Sequence, residues 1–201
     1  MEPELYVTKK GARTEFSEKR SRFIGEAVGV TTRDEAEAEI VKRRKEYSDC
    51  THVVYAFRIG PSNSEMLGMS DDGEPKGTAG KPVLEVLKGS GLTNILVTVV
   101  RYFGGTKLGT GGLVRAYSKS AKATLEKVSR ERYEVRIPFS LTLSYELYDQ
   151  AKRGIESTGA IINREDFGTS VDIYGEIGKK MVQLLETKIR DLSKGAVQVK
   201  Y

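Results

Sequence analysis

The pattern of apolar and polar residues divides this chain into a strand-rich first part and a shorter, more regular second part. Apolar residues at three- and four-residue spacing predict helices that begin at Thr31 or Thr32, near Pro82 and just after residue 112. Alternating or continuous apolar runs predict strands at residues 5–8, 14–16, 22–30, 53–59 and 95–102. The run at 95–102 is β-branched and apolar enough for an interior strand.

After residue 131 the pattern changes to a regular alternation of strands and helices. The predicted order is strand 136–144, helix 146–157, strand 160–164, strand 170–175, helix 178–192 and strand 196–201. This β-α-β-β-α-β order is the ferredoxin-like pattern. We therefore predict an α+β protein with one domain at 1–131 and a second, ferredoxin-like domain at 132–201.

Residues 104–112 contain five glycines in nine positions, between the predicted strand 95–102 and a helix. Glycine at this density indicates positive φ angles or a close approach of the backbone to a ligand. Backbone N–H groups at a strand-to-helix junction also form a natural cradle for an anion. The spacing matches neither a Walker A loop nor a dinucleotide-binding loop. A tight loop that only lets the helix dock on the sheet remains the structural alternative.

The net charge of +5 is concentrated beside this loop. Residues 101–130 contain seven lysines and arginines but only one acid, Glu126, which gives a local charge of +6. Such an excess favours an anionic partner, namely phosphate, RNA or an acidic protein surface.

A second polar loop, residues 70–82, has the sequence SDDGEPKGTAGKP. Asp71, Asp72 and Glu74 are oxygen ligands that a divalent metal accepts, but their spacing is not that of a calcium loop, and turn formation is the alternative. Thr78 is a candidate cap of the helix near Pro82, and amides of residues 77–80 form a second candidate anion nest.

Composition limits the remaining functions. The single cysteine, Cys50, excludes a disulfide framework, and the single histidine, His52, excludes a histidine-based metal site. Three roles remain open for His52: a Cys50–His52 pair on one strand face, a hydrogen-bonded structural histidine at the strand end, and a ligand contact. The chain has no apolar run long enough to span a membrane and no apolar leader at its N-terminus. We predict a cytoplasmic protein with no cofactor, no metal and no membrane partner.

The two loops together resemble the YigZ/IMPACT family. The motifs SDDGEPKGTAGKP and VVRYFGGTKLGTGGLVRAY, with THVVYAFRIG upstream, carry the resemblance over residues 21–125. It implies an N-terminal domain similar to domain IV of elongation factor G and to a small-subunit ribosomal protein. It also implies a C-terminal domain similar to domain V of that factor. Eukaryotic members of the family regulate translation.

The function expected from these observations is RNA or ribosome binding in translation. An enzyme acting on a phosphorylated small molecule or nucleotide is one alternative, and a protein-interaction module that regulates translation is another. No nucleophile–base pair is recognisable, so a binding protein is favoured over an enzyme. Tyr102, Phe103 and Tyr117 alternate with cations, as aromatic residues do on many nucleic-acid-binding surfaces.

Two groups of residues are candidates for the site. The anion-binding group consists of Arg101, Tyr102, Gly104, Gly105, Lys107, Gly109, Gly111, Gly112 and Arg115. The second loop of the same cleft contributes His52, Arg58, Asp71, Asp72, Glu74, Lys76 and Thr78. We expect the two loops to lie side by side, with the acids of one near the bases of the other.

Overall fold

A computed structural model describes residues 4–201 of the protein as two compact units. The first unit ends at Tyr133, and the second runs from Glu134 to Tyr201. Both combine helices with antiparallel sheet, so the predicted α+β class is confirmed.

The first unit contains seven strands and three helices within the described residues. They are β1 (Tyr6–Lys10), β2 (Ala12–Glu18), β3 (Ser21–Gly29), α1 (Arg33–Glu46), β4 (His52–Ile59), β5 (Met66–Ser70), α2 (Gly80–Gly89), β6 (Ile95–Tyr102), α3 (Thr110–Glu126) and β7 (Ser129–Arg132). Five strands form an antiparallel sheet in the order β2-β3-β6-β4-β5, and β1 pairs with β7 in a separate ribbon.

Helices cover both faces of the five-stranded sheet. One face packs against α2 and α3 around Phe23, Val97, Val99 and Tyr117, and the other packs against α1 around Phe57 and related side chains. Strand β6 lies in the middle, and its first seven residues are all buried. Burial on both faces explains why β6 is a continuous apolar run, as its sequence indicates.

Helix α1 begins where its sequence indicates. Thr32 is the N-cap, and its hydroxyl accepts a hydrogen bond of 3.2 Å from the Glu35 amide. The Glu35 carboxylate in turn accepts from the Thr31 amide at 2.6 Å. The hydroxyl–amide bond makes Thr32, and not Thr31, the N-cap, and Glu35 bonds back to the residue before the cap in a variant of the capping box.

Two strands of the first unit were not predicted. Strand β5 has the sequence MLGMS, in which Gly68 interrupts any apolar alternation; it forms because it pairs along β4. Strand β7 has the sequence SRER and is exposed at every position, so it has no apolar face to read. Strand β5 therefore depends on hairpin pairing with β4, and β7 depends on pairing with the distant β1, rather than on the preference of its own residues.

The second unit contains three strands and two α-helices. They are β8 (Arg136–Leu143), α4 (Tyr145–Glu156), β9 (Ile161–Phe167), β10 (Val171–Gly178) and α5 (Val182–Ser193), with a 3₁₀ turn at Lys179–Met181 before α5. The antiparallel sheet has the order β8-β10-β9. Its apolar face packs on the two helices around Phe139, Ile155, Ile173 and Leu185.

The predicted last strand, residues 196–201, is wrong in extent. A single antiparallel bridge joins Lys200 to Ser140 of β8, with both backbone hydrogen bonds at 2.8 Å. Lys194 and Gly195 end α5 with positive φ angles and turn the chain back toward β8. Among the helices of residues 4–201, none is long and apolar enough to cross a membrane.

Candidate nucleic-acid interface

The glycine-rich loop joins β6 to α3 and lies against the β2–β3 hairpin. The Gly104 amide donates to the Ser21 hydroxyl at 3.3 Å, and the Phe103 amide donates to the Thr51 hydroxyl at 3.0 Å. A Cβ at Gly104 would collide with the Arg20 carbonyl. Gly104 is therefore required for the close approach of the loop to the hairpin.

Helix α3 begins on this loop with an open N-terminus. Its N-cap, Gly109, has a φ of +74° and no side chain with which to cap the helix. The first turn contains no acid, and Thr110 and Gly111 are exposed. Arg115 follows one turn later and lies over Gly111. Open amides at the positive end of a helix dipole favour an anion.

A groove of about 220 Å³ opens beside this helix start and contains three cations. Its lining consists of Glu18, Lys19, Leu108, Gly112, Arg115, Ala116 and Lys119. Lys119 is 4.0 Å from Glu18 and 4.5 Å from the centre of the Phe16 ring. Within residues 4–201, no carboxylate lies at ion-pair distance from Lys19 or Arg115. The groove therefore has an excess of positive charge.

Sequence reasoning missed Lys19 and Arg20, which form the tip of the β2–β3 hairpin. Both have positive φ angles, +44° and +67°, although neither is glycine or asparagine. A two-residue turn of this kind normally uses Asn-Gly. Non-glycine residues held in this conformation are typical of functional sites. The signal in the sequence was the Lys-Arg pair between two predicted strands, where a turn residue would be expected.

Arg101, expected at the anion site, lies in the core instead. Its guanidinium is 2.5 Å from a Glu74 oxygen, and both side chains are almost fully buried. The Tyr117 hydroxyl donates to the same Glu74 oxygen at 2.8 Å. Burial, followed by the Glu74 charge, raises the pKa of Tyr117 well above its usual range. Arg101 thus links the end of β6 to the second loop through a buried ion pair, and it contributes no positive charge to the surface.

In the second loop, the backbone amides bind the side chain of Asp71. The Asp71 carboxylate accepts hydrogen bonds from the amides of Gly77, Ala79 and Gly80 at 2.8, 3.0 and 2.8 Å. Burial raises the pKa of Asp71, but these amides outweigh it and hold the pKa below its usual range. The nest predicted for an external ligand is therefore filled by Asp71, which caps α2. Thr78 does not cap α2, because its hydroxyl donates to the Pro75 carbonyl at 2.6 Å.

Asp72 and His52 also form hydrogen bonds within the protein. Asp72 accepts from Arg44 at 2.7 Å and from the Val53 amide at 2.6 Å. Nδ1 of His52 lies 2.7 Å from the Asp72 carbonyl. The three carboxylates at 71, 72 and 74 thus contact different groups instead of converging on one point.

Cys50, two residues before the histidine, is partly buried. Burial, followed by the charges of Asp72 and Asp49, raises the pKa of its thiol. A thiol with a raised pKa is a poor nucleophile. The histidine therefore matches the structural alternative better than a Cys50–His52 pair.

Neither Arg58 nor Lys76 lines the groove. Arg58 is buried near the far end of β4, where it pairs with Glu65 at 2.7 Å and donates to Ser62. It lies six residues along the strand from His52, or roughly 20 Å. Lys76 is exposed on the second loop.

The aromatic residues near the glycine-rich loop differ in accessibility. The Tyr102 hydroxyl donates to Asp49 at 2.9 Å, and Arg22 lies 5.3 Å from its ring centre. Burial and that hydrogen bond raise the pKa of Tyr102 to about 12. Tyr117 is fully buried, whereas Phe103 is 46% exposed. Phe103 is therefore the accessible member of the three.

These features define an α+β protein with a basic groove between a hairpin and a glycine-rich helix start. The family model of the Impact N-terminal domain matches residues 19–125, which include the hairpin tip, both loops and nearly all of α3. The chain belongs to the IMPACT family.

Relatives cover nearly the whole chain. It is 37% identical over 187 residues to "IMPACT family member YigZ" of Escherichia coli, spanning 90% of this chain and 89% of the relative. It is 32% identical over 196 residues to "IMPACT family member YvyE" of Bacillus subtilis, spanning 97% and 89%. A crystal structure titled only as that of a hypothetical protein is similar, with a TM-score of 0.77 and 32% identity over 99% of this chain and 97% of that one.

Proposed function

We propose that this protein binds RNA in the cytoplasm, through phosphates placed in the basic groove, as part of translation. The observation that carries the proposal is the convergence of Lys19, Arg115 and Lys119 on one groove beside the open start of α3. Cations and free backbone amides are the groups that hold phosphates in nucleic-acid complexes. Lys107, exposed on the adjoining loop, extends the positive surface.

The lining of the groove favours binding over catalysis. Glu18 is its one acid, and none of the lining residues is serine, cysteine or histidine. Nucleophilic catalysis needs a nucleophile within hydrogen-bond reach of a base. An RNA-binding role requires only the charges and amides that are present.

The alternative, a protein-interaction module, has one observation in its favour. Strand β5 lies at the edge of the sheet, and Met66, Leu67 and Met69 are 47%, 37% and 48% exposed. Exposed apolar edge strands can pair with a strand of another chain. A Met69→Gln variant separates the two functions, because it removes apolar surface without changing the charge. It should leave RNA binding unchanged while weakening any partner that packs along β5.

Binding to ribosomal RNA, measured by filter binding across a salt series, tests the proposal. Lys19→Gln with Arg115→Gln should weaken binding and reduce the slope of log K against log salt by about 0.7 for each phosphate of a single strand that the protein no longer neutralises. A second variant that reaches into the glycine-rich loop, Lys107→Gln with Arg115→Gln, should behave similarly. The matched control is Lys42→Gln with Lys45→Gln on α1, which packs on the opposite face of the sheet.

Two results would contradict the proposal. One is no measurable binding at low salt by the unmodified protein. The other is equal binding by the groove variant and the α1 control, since both lose the same charge and only one loses it from the groove.

A further inference from the structure

An exposed aromatic ring lies at the start of the glycine-rich loop and contacts a buried arginine. Phe103 is 46% exposed, and the Arg101 guanidinium carbon is 5.4 Å from its ring centre. Arg101 is fixed by its 2.5 Å ion pair with buried Glu74. The backbone of Phe103 is fixed by the hydrogen bond to Thr51. An exposed ring that rests on a fixed guanidinium, on an anchored backbone, is partly ordered for stacking before a ligand binds.

The ring belongs to the same surface as the groove. The next residue, Gly104, donates to Ser21 and abuts the Arg20 carbonyl. Lys19, next to Arg20 at the hairpin tip, lines the groove. A short path of directly touching residues therefore connects the aromatic ring with the cations.

We propose, on the basis of the RNA-binding function above, that the bound RNA is unpaired and that Phe103 stacks on one of its bases. In a duplex the bases are stacked on each other and paired, so an aromatic side chain at the surface cannot reach a base face. In single-stranded segments, bases turn outward and stack on aromatic residues while cations follow the phosphates. The groove supplies the cations that contact the phosphates, and Phe103 supplies the aromatic ring that stacks on a base.

The absence of tryptophan from the sequence permits a direct test of stacking. Phe103→Trp introduces a single tryptophan at the proposed stacking position, and Phe167→Trp introduces one at an exposed site of the second unit, where Phe167 is 58% exposed. Single-stranded RNA should quench the fluorescence of the first variant and leave that of the second unchanged. The complementary duplex should quench neither. Equal quenching of both variants, or none in Phe103→Trp despite binding, would overturn the stacking interaction.

A binding comparison tests the preference for unpaired RNA. The probes are a labelled oligonucleotide without self-complementarity and its duplex, measured by anisotropy at one salt concentration. Phe103→Leu should weaken single-strand binding about tenfold, with little change in duplex binding. Phe103→Tyr, which keeps the ring, should bind like the unmodified protein, and thermal melting should show both variants folded.

The outcomes separate this inference from the function on which it rests. If the protein binds neither probe, the RNA-binding function itself fails. If it binds both probes equally and Phe103→Leu changes neither affinity, RNA binding stands and the preference for unpaired RNA is wrong.

Discussion

At the scale of single residues, Asp71 shows how the second loop is stabilised. Its carboxylate accepts hydrogen bonds from three backbone amides at and just before the start of α2. The N-cap of that helix, Ala79, has no capping side chain of its own. The acid thus acts as a cap from outside the helix. In this structure Asp71, a residue of the SDDGEPKGTAGKP motif, therefore stabilises the loop and the start of α2.

Replacing Asp71 should destabilise the first unit in a pH-dependent way. Asp71→Ala should lower the free energy of unfolding by about 1–2 kcal/mol at pH 7. Because the pKa of Asp71 is lower in the folded protein than in the unfolded chain, its contribution is complete above the unfolded pKa and is lost as the pH falls through the folded pKa. Urea unfolding at neutral and acidic pH should show the difference between variant and parent shrinking in acid. A constant difference would contradict the role of the charge.

The buried pair of Glu74 and Arg101 is a second residue-scale test. Glu74→Gln should cost about 3 kcal/mol or more, since it leaves the Arg101 guanidinium buried without a counter-charge. Tyr117→Phe should cost less, about 1 kcal/mol, because one hydrogen bond is removed. Denaturant unfolding measures both, with exposed Glu126→Gln on α3 as the control. If Glu74→Gln unfolds like that control, the ion pair does not stabilise the core.

At the scale of elements, the β2–β3 hairpin combines an unfavourable turn with a favourable position for charge. Lys19 and Arg20 both adopt positive φ, which L-residues with a Cβ rarely do. Asn-Gly would relieve this strain and is the common choice for such a turn. The Lys-Arg turn therefore fits a site where charge matters more than turn stability.

Exchanging the hairpin tip should change stability and binding in opposite directions. Lys19→Asn with Arg20→Gly should raise the free energy of unfolding by about 1 kcal/mol and weaken RNA binding. The control, Lys19→Gln with Arg20→Gln, removes the same charge but keeps the strain, so it should weaken binding without the gain in stability. Thermal melting and filter binding measure the two effects. Unchanged RNA binding in both variants would exclude the hairpin from the interface.

At the scale of the whole molecule, each unit has its own apolar core. The core of the second unit is formed by side chains from β8, β9, β10, α4 and α5 together with residues near its C-terminus. A separate core is what allows a unit of this size to fold alone, although small domains are marginal.

We expect residues 134–201 to fold when produced alone. The fragment should be soluble, with mixed helix and strand signal in circular dichroism and a cooperative urea transition. Leu185→Asp, which places a charge in the core, should abolish that transition. An isolated fragment without a cooperative transition would mean that the unit depends on the rest of the chain.

The local sequence of this protein determined most of its elements and the position of its glycine-rich loop. The apolar run of β6, the capping residues of α1 and the spacing of α3 depend on neighbours within a few residues, so periodicity and capping rules reveal them. The local excess of positive charge beside the loop could likewise be counted along the chain.

Only the tertiary structure decided where the individual side chains go. Arg101 lies near the end of the interior strand β6 and is held in the core by Glu74, a residue 27 positions away, while Asp71 fills a nest that the sequence had suggested for a ligand. Lys19 joins Arg115 because the hairpin folds over the start of α3. Such partners are chosen by long-range pairing and by the cost of burying an unpaired charge, and neither is visible in local sequence patterns.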